Sequence, residues 1–221
     1  MMRRDYILRM IEEFFQLLSR LNAQKRGQLW QQAAGSIDAE FQRLVGAGAA
    51  AVVKLSETEL LAKVIQGEPT QAVREKTLMV TTLLKEAGDV AAGQDRSEES
   101  RAYYLKGLDL LLGTLASGDL LVCPEFVPKV EVFLSALGDW PLPVPTQGLL
   151  MQHFERVGEF GRAEDALFAI RDAEPDNPVV AEFGSAFYRR LAGQSDAALA
   201  AGNLPRPELE AGLAEWRKKR G

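Results

Sequence analysis

The sequence predicts an all-α protein, an array of helical hairpins preceded by an N-terminal helical region. Apolar residues recur at steps of three and four along nearly the whole chain, the spacing that places them on one helix face. No segment sustains the period-two alternation of a half-buried strand. One stretch, from Leu149 to Pro178, carries both helices of a hairpin, with the turn at Gly158 and a terminating Pro175.

The first helix is expected from Asp5 to about Leu21, with a seam at Ile7, Ile11, Phe14, Leu18 and Leu21. Leu8, Met10, Phe15 and Leu17 widen its apolar face, which predicts burial against more than one neighbour. A core helix is the plainest reading, and a dimer seam or a membrane-surface helix are the alternatives. A second helix follows from Gln28 to about Val45 through Leu29, Trp30, Ala33, Ile37, Phe41 and Leu44, and Gly46-Ala47-Gly48 ends it. Ser56-Glu57-Thr58-Glu59 is a capping box, because the Ser56 hydroxyl and the Glu59 carboxylate answer backbone amides at a helix start.

Gly67 closes that helix before Glu68-Pro69. A longer one carries Val73, Val80, Leu83, Leu84, Ala87 and Val90 on one side and stops near Gly93. Ser97-Glu98-Glu99 opens the next, whose buried face is Tyr104, Leu105, Leu108, Leu111, Leu112 and Leu115. A helical segment interrupted by Pro124 and Pro128 is expected from Asp119 to about Leu137. Trp140-Pro141-Leu142-Pro143-Val144-Pro145 is expected to be extended, since alternating prolines remove helical donors. It reads as a surface-anchored boundary, with a ligand for a proline-binding module as the alternative.

Beyond the hairpin, Val179 to Leu191 repeats the helical pattern through Phe183, Ala186 and Phe187. Ser195-Asp196 starts a short helical turn, Gly202-Asn203-Leu204-Pro205 breaks the chain, and Pro207 opens a final helix through Leu209, Leu213 and Trp216.

Within the hairpin, Phe154, Gly158, Phe160, Ala163, Leu167, Ile170 and Pro175 stand where a tetratricopeptide unit has its aromatics, turn glycine, small contact residue, core apolars and closing proline. The stretch therefore resembles one tetratricopeptide hairpin, and the resemblance implies an α-α superhelix that binds other proteins. The helices flanking Gly93-Gln94-Asp95-Arg96 form a second hairpin that resembles such a unit only loosely. The opening Arg4-Asp5-Tyr6-Ile7-Leu8-Arg9-Met10-Ile11-Glu12, the middle Leu83-Leu84-Lys85-Glu86-Ala87-Gly88-Asp89 and the tail from Ser195 to Arg206 are similar to an uncharacterised bacterial all-helical family, a domain of unknown function. That second resemblance implies helices and one evolutionary unit, and no reaction.

Composition bounds the function. The 221 residues are 47% hydrophobic and 26% charged, as in an ordinary globular protein. Net charge is −5, which argues against nucleic acid, whose phosphates are held by clustered cations. The one dense basic run, Arg217-Lys218-Lys219-Arg220, reads as a helix end complementing the macrodipole, with a polyanion contact as the alternative. Cys123 is the single cysteine, so neither an internal disulfide nor a cysteine-based zinc site can form. Charges at Asp5, Arg9, Glu12 and Glu13 interrupt any export signal, and no apolar run is long enough for a transmembrane segment. The expected location is cytoplasmic.

No catalytic, cofactor-binding or metal-ligating set emerges. Gly46-Ala47-Gly48-Ala49-Ala50-Ala51 matches a dinucleotide fingerprint in form, but a helix precedes it where a strand is required. Cys123 and His153 are each solitary, and Val122 and Pro124 supply nothing to activate the thiol. The adjacent pairs Glu12-Glu13 and Glu98-Glu99 point to different helix faces. The expectation is a non-catalytic protein- or peptide-binding module with a partner groove at Gln147, Gln152, His153 and Arg156, on the first helix of the hairpin. Its organisation is an N-terminal helical region over 1–140 and a tetratricopeptide-like region over 146–221, or one continuous domain. A homodimer or larger homo-oligomer assembled through the first helix, and an enzyme of unrecognised type, are the rival functions.

Overall fold

The computed structural model describes residues 2–68, 70–117 and 123–218, with the side chains of residues 2–4, 70, 71 and 218 outside that description. Among the described residues it contains twelve α-helices and no strand. The backbone divides into two compact units, Met1–Trp140 and Pro141–Gly221.

In the N-terminal unit, α1 (Met2–Arg26) buries Met10, Phe14, Leu17 and Leu21, one step round from the predicted seam. Ile7, Ile11 and Leu18 are half-buried, while Leu8 and Phe15 stay 50% and 44% exposed, so the second apolar face is only partly covered within this unit. Helix α2 (Trp30–Val45) buries Ala33, Ile37, Phe41, Leu44 and Val45, leaves Leu29 exposed at its start, and ends on left-handed Gly46. A four-residue helix, α3 (Ala49–Val52), was not legible in the sequence. Helix α4 (Glu57–Ile65) begins with the expected capping box: Ser56 Oγ accepts from the Glu59 amide and Glu59 accepts from the Ser56 amide.

Helix α5 (Thr70–Gly93) packs against α1, α2, α4 and α6 (Ser97–Ala116). The expected one-sided burial is therefore corrected: residues 76–84 are buried without a break, and Val73 is only half-buried. Its threonines tolerate this because their hydroxyls donate to their own helix, Thr77 to Val73 O, Thr81 to Thr77 O and Thr82 to Leu78 O. Helices α5 and α6 approach closely at Gly88, where a Cβ would lie 2.5 Å from the Tyr104 ring. On α6, Leu105 and Leu115 are half-buried, and Tyr103, Leu110 and Gly107 join the core instead.

The helical segment expected over 119–137 is shortened. Residues 119–122 lie outside the described residues, 123–129 are not helical, and α7 spans Val130–Leu137. Pro124 and Pro128 explain the delay, since each removes a donor and biases its predecessor to extended angles.

The C-terminal unit opens with α8 (Val144–Val157), so the stretch expected to be extended ends at Pro143, and Val144-Pro145 already belong to a helix. A proline in the first turn lacks only a donor that would have had no helical acceptor. Gly158, at φ +83°, turns the chain into α9 (Phe160–Ala173), and α8 and α9 pair as a hairpin around Phe154, Phe160, Ala163, Leu167 and Ile170, all buried. Asn177 then caps α10 (Pro178–Ala192), accepting from the Val179 amide at 2.9 Å, and Ser195 caps α11 (Asp196–Ala201). Helix α12 (Arg206–Lys218) packs back on α10. Gly184 permits this approach, because a Cβ there would lie 2.0 Å from the Trp216 ring.

Candidate functional site

Buried polar groups are hydrogen-bonded unless something else holds them, so exceptions mark where a ligand can matter. Besides the buried Lys76–Glu68 pair, the N-terminal unit holds a buried ionic cluster where α1 crosses α5. Lys25 Nζ lies 2.6 Å from Asp89 Oδ2 and also donates to Glu86 Oε2. Lys85 Nζ reaches Glu86 Oε1 at 3.1 Å and Asp89 Oδ2 at 2.8 Å, and the Tyr104 hydroxyl donates to Asp89 Oδ1 at 2.9 Å. All four carboxylate oxygens have donors, and two cations face two anions. Burial pushes the Asp89 carboxyl up, but the hydrogen bonds from Lys25 and Lys85 outweigh it and hold the pKa below the usual value. Burial and the neighbouring Asp89 push Tyr104 up. The cluster is closed, a strut between helices.

The C-terminal unit differs. Arg171, in the last turn of α9, is 7% exposed. Its guanidinium lies 4.0 Å from the Phe168 ring centroid and 5.2 Å from that of Trp216, a stacking that compensates part of its desolvation. Nη2 donates to Glu215 Oε1 at 3.3 Å, and Nε stands 3.6 Å from Asp172 Oδ1, too far for a hydrogen bond. Nε and Nη1 have no acceptor.

Arg171 lines a cleft of about 650 Å³ where the 174–177 link joins α9 to α10 and Trp216 of α12 closes one side. Pro175, Pro178, Val180 and Ala181 supply apolar wall, and Asp172 and Asp176 supply carboxylates. Trp216 is fixed by its Nε1 donating to Ala181 O at 3.2 Å and by an edge contact with Phe168. Asn177 Nδ2 donates to Glu174 Oε2 at 2.6 Å, which holds the link in shape. Nearby, Tyr188 donates to Glu164 Oε1 at 2.6 Å, yet burial keeps the Glu164 carboxyl above its usual pKa.

The predicted groove residues do not share one face. Gln152 and Arg156, one turn apart on α8, are exposed, with His153 half-buried beside them against Phe154. Gln147 is five residues from Gln152, roughly 140° round the helix, and is half-buried. Cys123 and His153 belong to different units, and burial raises the Cys123 pKa, opposite to what a reactive thiolate needs. At Gly46-Ala47-Gly48, Asp38 Oδ1 already accepts from the Ala49 amide at 2.9 Å, where the fingerprint would present a pyrophosphate. Of the basic run, Lys219 and Arg220 lie outside the described residues.

Among the described residues no group of three or more His, Cys, Asp or Glu side chains could hold a metal ion, and no helix is long and apolar enough to cross a membrane. Sequence reasoning missed Arg171 and the cleft. An arginine in a last helical turn reads as a macrodipole partner, and Trp216 lies 45 positions further on in the sequence. The spacing of Phe168 and Arg171, three apart on one helix, was the one local signal.

No curated protein and no solved structure matches the chain. Residues 1–221 match a family of unknown function (DUF6483), and the chain belongs to it.

Proposed function

We propose that this family member is a non-catalytic protein- or peptide-binding module whose recognition site is the Arg171 cleft. The hairpin of α8 and α9, with its tetratricopeptide-like sequence pattern, serves as scaffold, and the N-terminal unit acts as a separate stabilising domain. One observation carries the reading: a buried guanidinium, packed against the adjoining Phe168 and Trp216 rings, lines an open cleft beside Asp172 and Asp176. Gln152, His153 and Arg156 on α8 remain a separate candidate contact of the same module, in a reducing, cytoplasmic setting where Cys123 stays a thiol.

A peptide array probed with the full chain tests this. A subset of peptides is expected to bind, and Ala181→Trp, which fills the cleft from its wall, should abolish that binding while circular dichroism stays unchanged. An array with no bound peptide, or binding indifferent to the filled cleft, sinks the reading. The homo-oligomer alternative draws on Leu8 and Phe15, seven residues apart on α1 and about half exposed. Solution mass decides it, with a monomer as the result against.

A further inference from the structure

We infer that α12 is an acid-closed latch: Glu164 of α9, enclosed with Tyr188 of α10 beneath Gly212, sets how firmly α12 seats on the other two helices, and protonation of Glu164 tightens the seat. The inference goes beyond the binding reading and does not need it.

Contacts fix how α12 lies. Gly212 rests against Tyr188 and Glu164, and four residues later the Trp216 ring reaches Gly184 while its Nε1 donates to Ala181 O at 3.2 Å. Numbers rise along α12 as they fall along α10, so the two helices run antiparallel, with Leu209 and Trp216 buried at either end of the contact. Midway, a Cβ at position 212 would stand 2.2 Å from Glu164 Oε1 and 2.7 Å from the Tyr188 hydroxyl. Only glycine leaves room for that hydrogen bond, whose donor and acceptor are 2.6 Å apart. A glycine inside a helix weakens it, so α12 depends on what lies beneath.

The charges around the seat are mostly of one sign. From α9 come Asp165 and Arg171, from α10 Tyr188, and from α12 Glu208 and Glu215, which share the Gly212 face at spacings of four and three. Burial raises the Glu164 carboxyl above its usual pKa, the Tyr188 hydrogen bond opposes this, and Asp165, Glu208 and Glu215 add to the rise. The nearby cations are turned elsewhere. Arg171 meets Glu215 at 3.3 Å, Arg190 holds Glu155 at 2.6 Å, and Arg206, at the start of α12, reaches Asp196 at 2.8 Å. Arg217 is exposed and, five residues beyond Gly212, stands roughly 140° round the helix from it.

An ionised Glu164 therefore gains by leaving the seat for water, whereas the protonated carboxyl keeps an oxygen for the Tyr188 hydroxyl and ends the repulsion. The seated state takes up the proton first, so seating strengthens as pH falls through the folded pKa and levels off below the ordinary value of 4.5. Trp216 closes one side of the Arg171 cleft, so the step that loosens α12 also releases that wall. Acid shuts the cleft.

The test is hydrogen exchange of the full chain from about pH 8 to about pH 5, read as protection factors so that the intrinsic rate divides out. Amides of residues 210–216 should exchange at least about threefold sooner than those of residues 163–170 near neutrality, and their protection should climb at least about threefold on acidification. Glu164→Gln, a neutral isostere, should hold acid-like protection at every pH. Tyr188→Phe removes the donor that favours the ionised form, so its climb should exceed that of the unaltered chain. The exposed pair Glu208→Gln/Glu215→Gln should climb less.

Flat protection in the unaltered chain would overturn the inference, and so would one common rate for α12 and the hairpin at every pH. A climb that survives Glu164→Gln places the titrating group elsewhere, also against it. If Glu164→Gln disrupts the unit, the Glu208→Gln/Glu215→Gln variant decides, and an undiminished climb there rejects the latch. A climb lost when residues 219–221 are deleted assigns the response to the basic end, and the inference falls.

Discussion

In the N-terminal unit, Lys25, Lys85, Glu86, Asp89 and Tyr104 meet where α1 crosses α5, and every carboxylate oxygen there has a donor. In the C-terminal unit, Arg171 is more deeply buried than Lys25 or Lys85, yet two of its nitrogens are unanswered, and Glu164 is held partly buried by a single tyrosine hydroxyl. Both units bury charge, and only one completes the hydrogen bonding around it. The difference separates ionic groups whose hydrogen bonds brace a helix crossing from one whose nitrogens the fold encloses without acceptors, while the neutral Gln24 Oε1 is likewise unanswered in the first unit.

The largest expected effect tests whether the C-terminal unit is open only at its cleft or loosely packed throughout. Ala163 is fully buried in the α8–α9 hairpin, so Ala163→Arg should destabilise that unit by about 4 kcal/mol through overpacking and an unpaired charge. Chemical denaturation followed by Trp216 fluorescence measures it, and an unchanged midpoint would dismiss the tight hairpin.

Next comes a direct contrast of the two ions. Lys25→Met should cost about 3 kcal/mol, because it leaves Glu86 and Asp89 underpaired inside the unit. Arg171→Met should cost less than about 1 kcal/mol, since it removes two unmet donors and leaves its carboxylate neighbours mostly in water. Equal losses would erase the distinction. Ser56→Ala, which breaks the α4 capping box, should cost about 1 kcal/mol and be confined to the N-terminal unit.

The smallest effect is an opposite response to acid. The Asp89 pKa is lowered in the fold, so its contribution is complete above the unfolded-state value near 3.8 and fades as pH falls below that toward the folded pKa. The Glu164 pKa is raised, so the folded C-terminal unit takes up its proton first, and a penalty present at neutral pH is relieved as pH falls through the folded pKa toward 4.5. Hydrogen exchange resolved by unit should show the two slopes. Asp89→Asn and Glu164→Gln should each flatten only its own.

Elements were more legible than surfaces. The Ser56-Glu59 box, the Gly158 turn and the Asn177-Pro178 helix start are local codes, with the side chain that shapes the backbone within three residues of what it shapes. The continuous burial of α5 was not readable, because Thr77, Thr81 and Thr82 look polar until their hydroxyls turn back onto the helix. The Pro143-Val144-Pro145 stretch misled because the same residues suit an extended chain and a first helical turn. The cleft required Arg171 and Trp216, whose meeting depends on the absence of a Cβ at Gly184. A single glycine in a helical pattern gives no sign of which distant ring it admits.

The position of α5 also sets how the N-terminal unit breathes. With α1, α2, α4 and α6 all packed on it, no partial opening exposes the amides of residues 78–84 while leaving the rest of the unit intact. Their exchange with deuterium should therefore proceed only through complete unfolding of that unit, at a rate that reports its global stability. The four-residue α3 and the irregular 123–129 segment, at the margins of the same unit, should exchange orders of magnitude sooner through local fluctuations.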